Sequence, residues 1–172
     1  MPNLALKPLT AISPGIPGTE TWHANPSDPA VTVMTDFRSR ASVTVAATMS
    51  IDAALEHMKH AGVRCAFAID EARRVVVGLI TAYDISSEKP MRLLPAVGGR
   101  RDDVLVKDLM QPVAEWRALD FHDLEGASVA AVARVFEESQ LTHIPVFESN
   151  GKGEQSLRGL LSAARIKRLL AR

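Results

Sequence analysis

Apolar and polar positions along this chain alternate in ways that predict short helices and strands. Between residues 51 and 60 the apolar side chains recur at i, i+3, i+4 and i+7, as in an amphipathic helix: Ile51, Ala54, Leu55 and Met58. Ser50 is suited to cap this helix and Gly62 to end it. The pattern therefore predicts one helix with a single face turned to a core.

A β-hairpin is predicted directly after this helix. Residues 65–69 and 75–80 are two apolar runs separated by the turn-forming residues 70–73. A second helix is expected from about Ala82, and a short β-type run at residues 43–45 precedes the first. Together these elements form a β-α-β-β-α unit.

The second half of the chain repeats the first. Three segments align, residues 50–55 with 128–133 and 63–70 with 141–148 at an offset of 78, and 77–81 with 158–162 at an offset of 81. The three extra residues fall in the turn-rich stretch 149–153, where a hairpin lengthens easily. A period near 80 exceeds the roughly 20–50 residues of solenoid repeats, so we infer a duplicated small domain.

The second copy is predicted to have the same elements. We expect a helix over residues 128–139, a hairpin from residues 143–147 and 157–161, and a closing helix over 163–170. Val129, Val132, Val135 and Phe136 are the inward positions of the first of these helices. Neither unit alone offers more than a small core, so the fold class is expected to be α/β (α+β), with two β-α-β-β-α repeats packed as a pseudo-two-fold pair around a cleft.

Composition narrows the function. The 172 residues are 47% hydrophobic and carry 20 basic and 20 acidic side chains, a formal net charge of zero, which argues against general nucleic-acid binding. No apolar run approaches the roughly 18–20 residues of a membrane span, and Lys7 and Pro8 interrupt the apolar stretch of a secretory signal. The single cysteine, Cys65, suits a reducing compartment, so we expect a cytoplasmic protein.

Prolines set the first part of the chain apart. Six of the ten prolines fall within residues 1–33, which predicts an arm without helix, either free or lying across the domain. Trp22 and either Ile12 or Ile16 are the candidate anchors. The predicted organisation is an arm (1–33), a first repeat (34–90), a linker (91–103) and a second repeat (104–172).

Several short motifs recur in order in both repeats. The first repeat contains Met34-Thr35-Asp36, Gly62-Val63-Arg64 and Gly78-Leu79-Ile80-Thr81-Ala82-Tyr83-Asp84, and the second contains Val106-Lys107-Asp108-Leu109-Met110, Leu141-Thr142-His143-Ile144-Pro145-Val146 and Gly159-Leu160-Leu161-Ser162. In this order the chain resembles a tandem pair of cystathionine-β-synthase-type (CBS) domains, a Bateman module, over about residues 34–172. The resemblance implies a regulator, not an enzyme, that binds AMP, ADP, ATP or S-adenosylmethionine.

The candidate site centres on Thr81 and Asp84, where a strand runs into a helix. Backbone N–H groups at a helix start favour a phosphate, and the Thr81 hydroxyl adds a donor. In the family the Thr-x-x-Asp pair serves the ligand, and the resemblance implies that Asp84 accepts bonds from the ribose hydroxyls. The same pattern is also an ordinary capping box, and the two roles are compatible.

The second copy departs from this pattern. Ser162 keeps the hydroxyl, but Arg165 replaces the acid, and a cation in the first turn opposes the helix dipole and cannot accept ribose bonds. Arg165 is either a solvated charge or a group that reaches a phosphate held in the first site.

The strand starts complete the expected site. The resemblance places backbone amides and apolar side chains around a purine at Val63-Arg64-Cys65 and at Leu141-Thr142-His143, with Val43 as a further wall. Val43 and Val63 are equally suited to the core, His143 to a structural hydrogen bond, and Cys65 to an inert buried thiol.

The sequence thus favours a ligand sensor with no metal. His57 and His60 lack a third ligand, and no nucleophile elbow or P-loop is present. A homodimer is expected because Leu79, Ile85, Leu160, Leu169 and Leu170 suggest apolar faces that one module leaves uncovered. The alternative is a ligand-free scaffold on the same fold that contacts an unknown protein target.

Overall fold

The computed structural model describes residues 23–171. Its helices are α1 (Ile51–His60), α2 (Ala82–Ser86), α3 (Lys89–Val97), α4 (Val106–Leu109), α5 (Phe121–Glu125), α6 (Val129–Ser139) and α7 (Ala163–Leu170). Its strands are β1 (Thr35–Asp36), β2 (Thr44–Ala46), β3 (Cys65–Asp70), β4 (Val75–Thr81), β5 (Gln111–Pro112), β6 (Leu119–Asp120), β7 (His143–Ser149) and β8 (Gln155–Ser162). Short 3₁₀ helices lie at Ala30–Val33, Arg101–Asp103 and Val113–Glu115.

Two four-stranded sheets repeat one topology. The first has the order β2-β3-β4-β5, with β2 parallel to β3 and the other neighbours antiparallel. The second has the order β6-β7-β8-β1 with the same directions. A register shift falls after Ala68 in one hairpin and after Val146 in the other, at the offset of 78 found in the sequence. The predicted α/β fold of two repeats is confirmed.

Each sheet takes its last strand from the other half of the chain. β1 precedes the first unit and pairs with β8, whereas β5 precedes the second unit and pairs with β4. Gly78 on β4 is paired with Pro112 of β5, and Gly159 on β8 is paired with Asp36 of β1. The sequence did not predict this exchange.

Local sequence explains the main helices. Ser50 and Ser128 accept hydrogen bonds from the N–H groups of Ala53 and Ala131, so each caps the helix that follows. In α1 the buried side chains are Ile51, Ala54 and Met58, with Leu55 partly buried. In α6 they are Val129, Val132 and Phe136, with Val135 partly buried. Both predicted faces therefore point inward.

The described end of the proline-rich segment packs on the second unit. Ala24, Ala30 and Val33 are buried in its core, and the Ala24 N–H donates to the carbonyl of Leu169. Of the two predicted forms of the arm, residues 23–33 take the one that lies across the domain. The expectation of no helix is wrong at Ala30–Val33, which forms a short 3₁₀ helix. Pro29 precedes this helix, so all four helical residues keep their backbone N–H groups. Ile12, Ile16 and Trp22 lie outside the described residues.

The stretch predicted as a linker, residues 91–103, is largely structured. α3 ends only at Val97, with Gly98 in the left-handed region at φ 114°. Pro90 stands in the first turn, where a proline needs no donor, and Pro95 stands near the end. Arg101 then anchors the following turn through its Nε, 2.9 and 3.1 Å from the two carboxylate oxygens of Asp52.

The buried apolar residues form three clusters. One fills each unit, and a third lies between them, with Phe67 and Leu79 from the first unit against Leu160 from the second. The reason given for a dimer is therefore wrong, since the chain itself buries Leu79, Ile85, Leu160 and Leu169 and partly buries Leu170.

Candidate functional site

Thr81 and Asp84 form a compact pair where β4 becomes α2. Thr81 is the N-cap residue, and its hydroxyl oxygen accepts a 3.0 Å hydrogen bond from the Asp84 N–H. The same hydroxyl donates to Asp84 Oδ2 at 2.5 Å. The capping role predicted for this motif is thus present, and it holds the carboxylate in one orientation.

A phosphate at the start of α2 is poorly supported. α2 has only five residues, so it adds few aligned peptide dipoles, and one of its N–H groups already donates to Thr81. The part of the pair suited to a ligand is the Asp84 carboxylate.

Lys89 is a component of the site that the sequence did not reveal. Its ammonium group forms an ion pair with Asp84 Oδ1, with side-chain exposures of 58% for Lys89 and 20% for Asp84. The chain turns back between α2 and α3, where the Ser87 hydroxyl donates to the Asp84 carbonyl at 2.8 Å. Only the pair Ser86-Ser87 hints at this break, so the signal for Lys89 in the sequence is weak.

A cavity of about 490 Å³ lies between the two units and includes this pair. That size falls within the roughly 300–1,000 Å³ of small-molecule sites. Residues of both units and of the segment joining them line it: Leu79, Thr81, Tyr83, Asp84, Lys89, Leu109, Met110, Gln111, Glu115, Leu141, Thr142 and His143. A ligand here contacts both repeats at once.

His143 comes from the second unit and couples to Asp84 from the first. Burial lowers the pKa of the imidazole, while the nearby Asp84 carboxylate raises it. One ring nitrogen, Nδ1, lies 3.1 Å from the Thr142 hydroxyl. The structural hydrogen bond considered for His143 is therefore present, and the ring also lines the cavity.

Four of the predicted site residues lie elsewhere. Val43 and Val63 pack on the core of the first unit, and Arg64 is exposed, with its carbonyl accepting from the Ala82 N–H at 2.8 Å. Cys65 packs at the cluster between the units, and burial raises the pKa of its thiol to about 11. The strand start that lines the cavity beside Asp84 is Leu141–His143 of the other repeat, because the two units face each other there.

Ser162 and Arg165 also lie apart from the Asp84 cavity. Ser162 caps α7, and its hydroxyl oxygen lies 3.5 Å from the Arg165 N–H that donates to it. Arg165 is partly buried, with its Nε shielded from solvent, so it is not the freely solvated charge favoured by its position in the sequence. Nor does it line the cavity that holds Asp84.

Paired β-α-β-β-α repeats that exchange a strand and share an inter-unit cavity define a module of two CBS domains. The family model described as "CBS domain" matches residues 27–89, which cover most of the first unit. Residues 27–89 therefore match a CBS domain, and over most of its length the chain has the fold of a CBS-pair protein. No curated protein matches the chain significantly.

Solved structures share this fold. The CBS-pair protein CBSX2 from Arabidopsis thaliana is 22% identical, with a TM-score of 0.53, over 83% of this chain and 93% of its own. CBSX2 has also been crystallised in complex with AMP, and that structure gives 22% identity and a TM-score of 0.52 over 83% of this chain and 94% of its own. An uncharacterised conserved protein from Pyrococcus horikoshii is 19% identical, with a TM-score of 0.58, over 86% of this chain and 96% of its own.

Over residues 23–171, none of the helices is long and apolar enough to cross a membrane. Within the same range, no three His, Cys, Asp or Glu side chains are grouped so as to hold a metal ion.

Proposed function

We propose that this protein is a regulatory sensor that binds an adenosine-containing nucleotide in the cavity between its two repeats. The observation that carries the proposal is the Asp84 carboxylate, held by Thr81 and lining a cavity that the second repeat closes with His143. AMP in the related CBSX2 structure supports an adenine nucleotide as the ligand. Adenosine, ADP, ATP and S-adenosylmethionine belong in the same test panel.

Asp84 is proposed to bind the ribose. A carboxylate accepts hydrogen bonds through about four lone-pair positions, and Thr81 and Lys89 leave positions for both hydroxyls of a ribose. The purine would lie toward Leu141 and His143, where the lining offers an apolar side chain and a flat ring. Contact with both repeats would let the ligand change how they pack, which is how a non-catalytic module reports to a partner.

Calorimetry against AMP, ADP, ATP, S-adenosylmethionine and adenosine tests the proposal. Asp84→Asn keeps the shape of the side chain and removes its charge, so affinity should fall about tenfold or more. Asp108→Asn is the matched control, because Asp108 holds the same position in the first turn of α4 and does not line the cavity. Equal affinities for Asp84→Asn and the parent would exclude this site.

The alternative is a ligand-free scaffold or a self-associating module. Tyr83 and Met91, on neighbouring helices, are 76% and 61% exposed, which is unusual for large apolar side chains and favours a protein contact. We expect a homodimer, and light scattering of the parent and of Tyr83→Ser with Met91→Ser measures it. A melting temperature unmoved by every nucleotide, with a dimer lost in the double variant, would favour this alternative.

The remaining assignments follow from the same proposal. The protein acts on an unknown protein target, without catalysis and without nucleic acid. Its single cysteine cannot form a disulfide within the chain, which fits the reducing cytoplasm.

A further inference from the structure

We propose that Lys89 is the phosphate-binding group of the cavity and that it moves from Asp84 to the ligand when a nucleoside monophosphate binds. The inference rests on the proposed function, because it concerns the same cavity. It adds the class of ligand, a nucleotide with one phosphate.

The two side chains of the ion pair differ in freedom. Asp84 is held by Thr81 and is mostly buried, whereas Lys89 stands at the first residue of α3 with 58% of its side chain exposed. The lysine stem has four rotatable carbons and carries a mobile point charge. The ammonium can therefore leave Asp84 without disturbing the cap.

The charges of the residues that line the cavity explain why the Lys89 ammonium would leave Asp84. Among the residues described around this cavity, Asp84 and Glu115 carry carboxylates and Lys89 carries the one lysine or arginine charge. A phosphate placed here needs that cation, since it otherwise faces two like charges. In exchange, the ribose hydroxyls donate to Asp84, so both charges keep hydrogen-bonding partners.

Arg101 does not replace Lys89 as a phosphate-binding cation. Arg101 is committed to Asp52 and also donates to the Ile85 carbonyl at 3.0 Å, and it does not line the cavity. Among the residues described around this cavity, a second or third phosphate would find no further lysine or arginine, and Glu115 adds a like charge. The arrangement therefore favours a monophosphate over a triphosphate. It also favours a monophosphate over a neutral nucleoside, which would displace Lys89 from Asp84 without offering the ammonium a new negative charge.

The test is calorimetry of Lys89→Met with adenosine, AMP and ATP at low salt and without divalent metal. The parent should bind AMP about tenfold more tightly than adenosine, and more tightly than ATP. Lys89→Met should lose about this tenfold advantage for AMP while its affinity for adenosine stays equal or rises, because nothing competes for Asp84. Lys59→Met is the matched control, since Lys59 forms an ion pair with Glu56 on α1 and does not line the cavity.

Distinct results separate this inference from the proposed function. If Lys89→Met weakens adenosine and AMP equally, or if ATP binds the parent better than AMP, the role of Lys89 is wrong while the cavity remains a nucleotide site. Tighter binding of the cationic S-adenosylmethionine than of AMP also overturns it. If the parent binds none of adenosine, AMP, ADP, ATP and S-adenosylmethionine, the proposed function fails, and this inference fails with it. Thermal melting of each variant without ligand checks that it is folded.

Discussion

Met110 lies directly over Gly78, so that a Cβ atom built on residue 78 would come within 2.5 Å of the Met110 sulfur and 2.8 Å of the Gln111 carbonyl oxygen. Met34 lies over Gly159 in the same way, at 2.5 Å, with the Thr35 carbonyl oxygen at 2.7 Å. These two contacts are where the exchanged strands β5 and β1 meet the sheets. A side chain at either glycine would push the exchanged strand away.

Gly78→Ala and Gly159→Ala should each therefore lower the free energy of unfolding by about 1–3 kcal/mol, because a methionine can move but a backbone carbonyl in a strand cannot. Urea denaturation measures this loss. Gly151→Ala is the control, since nothing lies within 4 Å of its added Cβ, and it should have little effect. Equal stability of all three variants would show that the close approach is not energetically important.

Thr81→Val should lower the free energy of unfolding by about 1–2 kcal/mol, because it removes both the cap to the Asp84 N–H and the bond to the Asp84 carboxylate. Ser128→Ala removes a single longer cap bond of 3.3 Å on α6 and should cost less. Chemical denaturation of the two variants compares them, and a larger loss for Ser128→Ala would contradict the expectation.

The stability of the protein should fall as the pH drops below about 6.5, in part through His143. Burial lowers the pKa of this ring below its ordinary value of 6.5, so the unfolded chain takes up a proton that the folded protein resists. Above that pH both states are neutral at this residue and it contributes no pH dependence. The slope from one such group is at most about 1.4 kcal/mol per pH unit.

Urea denaturation between pH 7.5 and 5.5 measures this slope. His143→Gln should flatten it, whereas His122→Gln should not, because the His122 side chain is 93% exposed. An unchanged slope in His143→Gln would assign the effect to other groups.

Asp36→Asn should lower the free energy of unfolding by about 1–3 kcal/mol, because the Arg158 side chain is only 8% exposed and loses its closest carboxylate, while Asp36 itself is 34% exposed and partly solvated. The remaining carboxylate, Glu148, is 3.7 Å from Arg158 Nε. The largely exposed pair of Glu88 and Arg92 provides the control, and Glu88→Gln should change the free energy of unfolding by less than about 1 kcal/mol. Thermal and urea melts of both variants decide the comparison.

The elements that could be predicted are those in which apolar residues recur at a regular spacing. The α1 and α6 faces and the two hairpins repeat apolar residues over enough positions to give a signal, and the structure has them at the expected places. The exchanged strands β1 and β5 have two residues each, too few for any period. Most of α3 falls in the predicted linker because Pro95, Gly98 and Gly99 suggest irregular chain, whereas Pro95 stands near the end of the helix and Gly98 terminates it.

The site divides in the same way. Thr81 and Asp84 are three residues apart and form a local motif, so sequence reasoning found them. Lys89 forms an ion pair with Asp84 across a break between two helices, and His143 lines the same cavity from the other repeat, so both depend on tertiary packing. The resemblance also places Val43, Val63 and Cys65 around the purine, but these residues pack on the apolar clusters instead.

Because β1 and β5 are exchanged between the two units, a single break in the chain leaves the units still hydrogen-bonded to each other. A protease cutting between Gly98 and Gly99 would leave two fragments that stay interlocked, each holding a strand of its partner's sheet. Separated halves would expose a row of unpaired amides along β4 or β8 and tend to aggregate. Expression of one lobe alone should therefore yield insoluble material, whereas both lobes made together as separate chains should reassemble.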